Sequence, residues 1–402
     1  MKTQQSKKVL LFSTLNPFPF WAGSENFWFD FVADERVNMA FRFHLILADS
    51  PVTRKKVSIL EATGTEVDFY KHFNVSFTRR NLFRFRDRLN KRDYRTLPWF
   101  DQIRKGDYDL VWFNVSALGD LQDLYYPVQL CKEKKIPYWL ILQHGYEDFF
   151  LTSEKEAERV TEVATSAKSF IFIAERNRRS LERAIGQELK NAFHSVNALP
   201  KKRIEEASVI SRTNSPGTGY TARFFNLGRF SPKDKAQHLL LEAFAEDKWK
   251  SRDWRLSFIG VDGFGKIYLE NMMLYYGTDP DKIEILNHTD RVFGEIAKQD
   301  VLLMPSLSEG TPFAMVESMA CGRPAFGTPI GGIPELIIEN KTGWLARTTN
   351  SRDIKEKLEE VWQQRGEWQQ FGKQAQEHIR KNYNQDKSFE ELLQLLINDT
   401  HS

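Results

Sequence analysis

The chain has 402 residues, which is too long for one ordinary hydrophobic core, so we expect two domains. Hydrophobic residues make up 41% of the chain and charged residues 28%, the balance of a soluble globular protein. A formal net charge of +3 is nearly neutral for this length and argues against a nucleic-acid-binding protein.

The first residues point to a cytoplasmic protein. Residues 1–8 are polar and basic, and the apolar run 9–12 is too short for a signal-peptide core but suits a first strand. No apolar run approaches the roughly 18 residues of a transmembrane helix. Cys131 and Cys321 lie far apart and match no metal-site spacing, so we interpret them as buried, reduced thiols.

The first half of the chain alternates short apolar runs with charged, helix-like stretches. This βαβ pattern predicts a largely parallel, buried sheet in a first domain of residues 1–199. The predicted strands are residues 9–14, 41–48, 110–114, 138–143 and 170–174, with helical period at 25–33 and 127–134.

A second series of the same kind follows residues 211–219, which are rich in Ser, Thr, Gly and Pro and are typical of an interdomain joint. We predict a second domain of residues 200–380 and a final helix, within 381–402, that crosses back to the first domain. The predicted strands are residues 222–228, 256–259, 282–286, 301–304 and 324–327; predicted helices are 237–245, 292–298 and most of 352–399, with breaks near Gly366 and Asn384.

The segment that begins at residue 301 carries the main functional signal. Residues 301–304 suit a buried strand, and 305–310 a loop at its carboxyl end, where parallel sheets bind ligands. Thr311 can cap a helix and Pro312 suits the first helical position. The free backbone N–H groups near Phe313 would then face an anion or sugar hydroxyls.

Two carboxylates flank this predicted helix start. Glu309 precedes the helix, and Glu317 lies about two turns into it. A carboxylate can accept two hydroxyl hydrogen bonds at once, as vicinal sugar diols require. The alternative is that Glu309 only favours the helix N-terminus and that Glu317 is solvated.

The arrangement Glu309…Glu317, inside PSLSEGTPFAMVESMACGRPAFGT and followed by GGIPELI, resembles the family 4 retaining glycosyltransferases of the GT-B fold. The resemblance implies that Glu309 lies by the donor sugar and that Glu317 holds the ribose hydroxyls of the nucleotide. Pro312 has no N–H, so the amides implied to contact the sugar or pyrophosphate are those of Gly310, Thr311 and Phe313.

A basic pair follows the first strand of the second domain. Arg229 and Lys235 project from the predicted strand-to-helix loop, where they would stabilise a pyrophosphate leaving group. The pattern resembles the G-R…K-G element of the same family, although Ala236 stands where Gly is usual. Lys233 is a competing candidate, and a solvated basic loop is the alternative.

The first domain offers a glycine and a histidine. The resemblance implies a glycine-rich loop at residues 16–25 that approaches the donor phosphate, and Gly23 matches it; an ordinary βα turn is the alternative. His144 follows a strand where the family commonly has a His near the sugar, which it could orient as a neutral donor; a structural role is the alternative. The aromatic residues predicted to line the acceptor side are Phe18, Phe20 and Trp21.

Two further segments are interpreted more generally. The Gly-rich residues 260–265 (GVDGFG) are expected near the nucleotide, with the base between them and residues 288–292. Residues 79–95 are strongly basic with interleaved apolar side chains, which suits peripheral contact with an anionic membrane at its inner face or an acidic acceptor. A solvated surface helix is the alternative.

We therefore predict two Rossmann-like domains around a deep cleft. The implied reaction moves a sugar from a nucleoside diphosphate sugar to a hydroxyl-bearing glycan, lipid or polysaccharide precursor, with retention of configuration and with neither a metal nor another cofactor. The alternatives are a non-catalytic sugar-nucleotide-binding protein and another GT-B enzyme. An epimerase should carry extra carboxylates and His in the cleft, and a phosphorylase needs a pyridoxal-binding lysine; the sequence identifies neither.

Overall fold

The computed structural model describes residues 6–14, 21, 23–70, 98–210, 219–263, 265–289 and 291–401. These residues form two parallel sheets. The first contains β1 (Lys7–Ser13), β2 (Phe41–Ala48), β3 (Glu66–Tyr70), β4 (Leu110–Val115), β5 (Tyr138–Leu142), β6 (Ser169–Phe172) and β7 (Ala192–His194). The second contains β8 (Ala222–Leu227), β9 (Trp254–Gly260), β10 (Ile283–Asn287), β11 (Val301–Met304), β12 (Ala325–Gly327) and β13 (Gly343–Leu345).

Helices connect these strands. In the first domain they are α1 (Gly23–Ala33), α2 (Glu35–Ala40), α3 (Pro51–Glu61), α4 (Pro98–Lys105), α5 (Tyr125–Glu133), α6 (Glu154–Thr165) and α7 (Glu175–Ile185). Those that follow are α8 (Lys201–Ser208), α9 (His238–Phe244), α10 (Asp247–Lys250), α11 (Lys266–Tyr276), α12 (Val292–Ala297), α13 (Phe313–Ala320), α14 (Ile333–Leu336), α15 (Ser351–Gln363), α16 (Trp368–Asn382) and α17 (Gln385–His401).

Both sheets have the strand order of a Rossmann fold. The first runs β3-β2-β1-β4-β5-β6-β7, and the second runs β10-β9-β8-β11-β12-β13. The strand order reverses beside β1 in one sheet and beside β8 in the other, and ligands of such sheets bind at this switch point. The predicted pair of Rossmann-like domains is confirmed.

The central strands form because their residues are apolar without interruption. Every residue of β4 and β5 is buried, as expected for a parallel sheet that is covered on both faces. All ten predicted strands are present, with ends that differ by up to two residues. The three that the sequence did not predict, β3, β7 and β13, lie at the sheet edges or next to them and are short or half exposed.

Helix α17 crosses back to the first domain, as predicted. Its buried residues Phe389, Leu392 and Leu396 belong to the same core cluster as Trp28 and Trp139. The carboxylate of Asp399, near the end of α17, accepts a hydrogen bond from Nε1 of Trp139 at 2.7 Å. This helix therefore covers one face of the first sheet.

The predicted domain boundary stays a prediction, and residue 200 lies between β7 and α8. Residues 79–95 and 211–218 lie outside the described residues. Cys131 and Cys321 are buried, and burial raises the pKa of each thiol to about 12, so both carry their proton near neutral pH. In the described part of the chain, the helices are too short or too polar to cross a lipid bilayer.

Replacing Leu396 with Ala should lower the free energy of unfolding by about 3 kcal/mol, because it leaves a cavity between α17 and the first sheet. Urea denaturation followed by circular dichroism measures this loss. Asn398→Ala, at an exposed position of the same helix, is the matched control and should change stability little. Equal stability of the two variants would show that α17 does not contribute to this core.

Candidate active site

Glu309 lies in the loop between β11 and α13 and is only 3% exposed. Its Oε1 accepts hydrogen bonds from Nζ of Lys235 at 2.6 Å and from Oγ of Ser306 at 2.8 Å. A buried carboxylate needs such partners, because desolvation of an unpaired charge is costly. The structure thus joins two predicted site residues in one ion pair.

The basic loop after β8 is held in place by an aspartate. Oδ2 of Asp234 lies 3.1 Å from Nη2 of Arg229 and accepts a hydrogen bond from Oγ of Ser231 at 2.9 Å. Lys235 turns inward to Glu309, whereas Lys233 is exposed. The two candidates are therefore distinguished by burial: Lys235 lies in the site and Lys233 outside it.

A tight turn gives Lys235 its inward direction. The amides of Lys235 and Ala236 both donate to the carbonyl of Ser231. Ala236 has φ of 49°, in the left-handed region that favours glycine. This position is the one where the sequence has Ala in place of the usual Gly, so the turn is kept at some conformational cost.

The Gly-rich segment 260–263 packs on this basic loop. A Cβ added to Gly263 would lie 2.3 Å from Cγ of Arg229, and one added to Gly260 would lie 1.9 Å from the carbonyl oxygen of Gly228. These glycines are required for close approach of two loops, which is a packing reason independent of any ligand. Phe264 lies outside the described residues.

His144 faces this site from the first domain. Oγ of Ser308 donates to the carbonyl of Gly145 at 2.7 Å and lies 3.1 Å from Nδ1 of His144. A hydroxyl has one proton, so we assign the ring proton to Nδ1 and a lone pair to Nε2. Burial lowers the pKa of His144, as does the positive charge of Lys235, so the imidazole is neutral at pH 7.

The Glu309 loop is also an interdomain contact. Nδ2 of Asn177 donates to the carbonyl of Glu309 at 3.2 Å. A Cβ added to Gly310 would lie 2.1 Å from the carbonyl oxygen of Gln143, so only glycine permits this approach. The loop is therefore fixed by both domains.

Thr311 does not cap the helix as predicted. Pro312 occupies the N-cap position of α13, with Phe313 as the first helical residue. The hydroxyl of Thr311 instead donates to the carbonyl of Ile173 in the first domain. The cap prediction was wrong because a tertiary hydrogen bond takes the side chain that a local pattern assigns to the helix.

Gly23 and Phe313 meet across the two domains. Gly23 begins α1, and a Cβ added there would lie 3.2 Å from Cδ2 of Phe313. Trp21 packs against Trp28 and Phe29, so its described contacts are with the core of the first domain. Phe18 and Phe20 lie outside the described residues.

Glu317 has a partner that the sequence did not reveal. Its Oε1 accepts a hydrogen bond from Nη2 of Arg203 at 2.7 Å. The guanidinium of Arg203, on α8, lies 4.1 Å from the ring centroid of Phe293. Burial raises the pKa of Glu317, and the charge of Arg203 opposes that rise. No local pattern distinguishes Arg203 from the other basic residues that begin α8.

Among the residues that the structure describes, no three His, Cys, Asp or Glu side chains come together as a set of metal ligands. The expectation that no metal is required stays a prediction.

Sequence similarity to known proteins covers part of this chain. The model of the family described as glycosyl transferases group 1 matches residues 217–378. An uncharacterised glycosyltransferase of Methanocaldococcus jannaschii is 33% identical over 137 residues, which are 34% of this chain and 36% of that protein. The putative colanic acid biosynthesis glycosyltransferase WcaL of Escherichia coli K12 is 28% identical over 169 residues, which are 40% of this chain and 42% of that protein. The matched stretches thus cover less than half of either relative.

The whole chain has structural counterparts. Anabaena HepE, solved in complex with UDP and glucose, matches with a TM-score of 0.70 and 15% sequence identity, over 97% of this chain and 99% of that one. At this identity the likeness shows the fold, which is the GT-B arrangement of two Rossmann-like domains.

Lys235→Met should lower the free energy of unfolding by about 3 kcal/mol, because it leaves the buried Glu309 carboxylate without its counter-ion. Denaturant unfolding of the variant measures the effect. Lys233→Met removes a charge of the same sign from an exposed position and should leave stability within about 0.5 kcal/mol of the unmodified protein. Similar losses in both variants would contradict the buried pair.

Proposed function

We propose that this protein, whose residues 217–378 match the model of the group 1 glycosyl transferases, transfers a sugar from a nucleoside diphosphate sugar to a hydroxyl group, with retention of configuration. The acceptor we propose is a glycan, lipid or polysaccharide precursor. The name of the E. coli relative, a colanic acid biosynthesis glycosyltransferase, supports the polysaccharide class. The complex of HepE with UDP and glucose supports a nucleotide-sugar donor.

The observation that carries this proposal is the pairing of Lys235 with Glu309, beside Arg229, at the switch point of the second sheet. One cation and one carboxylate held together suit a ligand that has both phosphate and hydroxyl groups. Lys235 has three N–H donors, and a single one is needed for Glu309. The others would bind the diphosphate while Glu309 accepts a hydrogen bond from a sugar hydroxyl.

The proposed chemistry follows from where charge develops. As the bond between the sugar C1 and the phosphate oxygen breaks, negative charge grows on the diphosphate. Arg229 and Lys235 are positioned to stabilise it, in a site where burial strengthens electrostatic attraction. The acceptor hydroxyl attacks C1 on the same face, and its proton passes to the leaving phosphate. No protein base is required for this step.

His144 has an orienting role in this proposal. With the proton on Nδ1 directed to Ser308, its Nε2 would accept a hydrogen bond from a hydroxyl of the donor sugar, in place of the donor role predicted from the sequence. The pKa of His144 is lowered by burial, so the imidazole stays able to accept through the neutral range. Gly23 and the N-terminus of α13, at Phe313, lie close together, and we propose that the diphosphate binds at this junction.

The second candidate is a protein that binds a sugar nucleotide without catalysis. Donor binding is all that Glu317, Arg229 and Lys235 support, whereas turnover also needs the first domain. Membrane contact through residues 79–95 and a location at the inner membrane face remain proposals, since that segment lies outside the described residues.

A panel of sugar nucleotides tests the main proposal. We expect at least one UDP-, GDP- or ADP-linked sugar to raise the melting temperature of the protein. With a hydroxyl acceptor present, that donor should release its nucleoside diphosphate, and NMR of the product should show the anomeric configuration of the donor. Stabilisation without turnover on any acceptor would favour the binding protein, and no stabilisation by any donor would defeat the proposal.

Substitution of the two glutamates should impair different properties, nucleotide affinity for Glu317 and turnover for Glu309. Glu317→Gln should weaken binding of the nucleoside diphosphate by about tenfold to a hundredfold, because the ribose loses a charged acceptor. Glu309→Gln should leave that affinity near its original value and lower kcat about a hundredfold, since it contacts the reacting sugar. Calorimetric titration and steady-state assays measure the two effects. Equal effects on nucleotide affinity would contradict this division of roles.

A further inference from the structure

The contact between Arg203 and Glu317 carries an inference that rests on the proposed function. We propose that Arg203 is a positioning residue that aligns the Glu317 carboxylate for the two ribose hydroxyls of the bound nucleotide. It acts from α8, which lies between the last strand of the first sheet and the first strand of the second sheet in the chain.

The geometry leaves half of the carboxylate for a ligand. Nη2 of Arg203 bonds to Oε1 of Glu317 at 2.7 Å. Among the described residues, Arg203 is the hydrogen-bond donor to this carboxylate, and it bonds to Oε1 and not to Oε2. Oε2 can accept one ribose hydroxyl and the second lone pair of Oε1 the other, so Arg203 fixes the orientation without filling the site.

The guanidinium is itself held by stacking on an aromatic ring, whereas its ion pair with the exposed Glu206 is long and contributes little. It lies over the ring of Phe293 at 4.1 Å, and its Nη1 lies 3.8 Å from Oε2 of Glu206. A planar guanidinium stacked on an aromatic ring presents its donors in a fixed direction, which a lysine ammonium does not do. Phe293 directly follows residues 288–292, where the nucleobase is expected. Arg203, on α8, therefore contacts both the segment expected near the base and the carboxylate expected to bind the ribose.

Arg203 also supplies charge that Glu317 needs. Burial raises the pKa of Glu317, and the positive charges of Arg203 and His288 oppose that rise. Among the described residues, the thiol of Cys321 also interacts electrostatically with Glu317, and it is neutral because its pKa is about 12. Without Arg203, the carboxyl group would hold a proton to higher pH. A protonated carboxyl group presents an O–H donor where a ribose hydroxyl needs an acceptor.

The test compares ribose with deoxyribose ligands. UDP, GDP, ADP and their 2′-deoxy forms are titrated by calorimetry between pH 6 and pH 9. The proteins compared are the unmodified protein, Arg203→Gln, Arg203→Lys and Glu206→Gln. Glu206→Gln removes the other carboxylate that contacts Arg203 and is the matched control. At pH 7, Arg203→Gln should weaken binding of the preferred ribonucleotide by about tenfold or more and leave the deoxy form much less affected.

The pH dependence gives the second readout. The loss of ribonucleotide affinity in Arg203→Gln should become smaller as pH rises, because Glu317 ionises above its raised pKa. The titration with deoxynucleotides corrects for ionisation of the phosphates. Arg203→Lys should recover part of the affinity, and Glu206→Gln should behave as the unmodified protein. Equal losses for ribose and deoxyribose ligands, or no loss at all, would overturn the role of Arg203 and leave the proposed function standing. If the unmodified protein binds none of UDP, GDP and ADP, the proposed function fails and this inference with it.

Discussion

The close approach of Gly310 to the carbonyl of Gln143 is the contact on which the rest of the site depends. A side chain as small as a methyl group at residue 310 would meet that oxygen at 2.1 Å. Because the glycine allows contact, the loop that carries Glu309 reaches Asn177 and the His144 segment of the first domain. The carboxylate is thereby held between two domains although its backbone belongs to one.

The first domain presents a rigid surface to that loop. Nε2 of Gln143 donates to Asn114, whose own amide donates to Ser13, and Ser13 donates to the buried carboxyl of Glu25. Burial raises the pKa of Glu25 to about 7, so this chain of hydrogen bonds ends on a carboxyl group that titrates well above its usual range. Ser13, Asn114 and Gln143 lie at the carboxyl ends of β1, β4 and β5, and Glu25 lies in the first turn of α1. Their mutual hydrogen bonds hold the backbone of Gln143 in place against Gly310.

Periodicity and turn chemistry were sufficient to predict the two sheets and the helix after β11, whereas the return of α17 was expected with the GT-B fold that the family resemblance implied. They succeeded because buried parallel strands are continuous apolar runs and helices carry their own end signals. They failed where a partner is distant in sequence. Thr311 has the local signature of a cap, but its hydroxyl donates to Ile173. Arg203 contacts Glu317 only because α8 packs on α13. Lys235 could be chosen over Lys233 only from burial, because both lie in the same basic loop and only Lys235 reaches Glu309.

Helix α17 affects how the protein can fold while it is synthesised on the ribosome. The strands of the first domain are all made before residue 195, yet Phe389, Leu392 and Leu396 complete its core. A face of that sheet therefore stays uncovered while about half of the chain is still being synthesised, and contacts this far apart in sequence are slow to form. Folding of the first domain should finish only after release of the last helix, so the nascent chain is a natural client for chaperones that shield apolar surface.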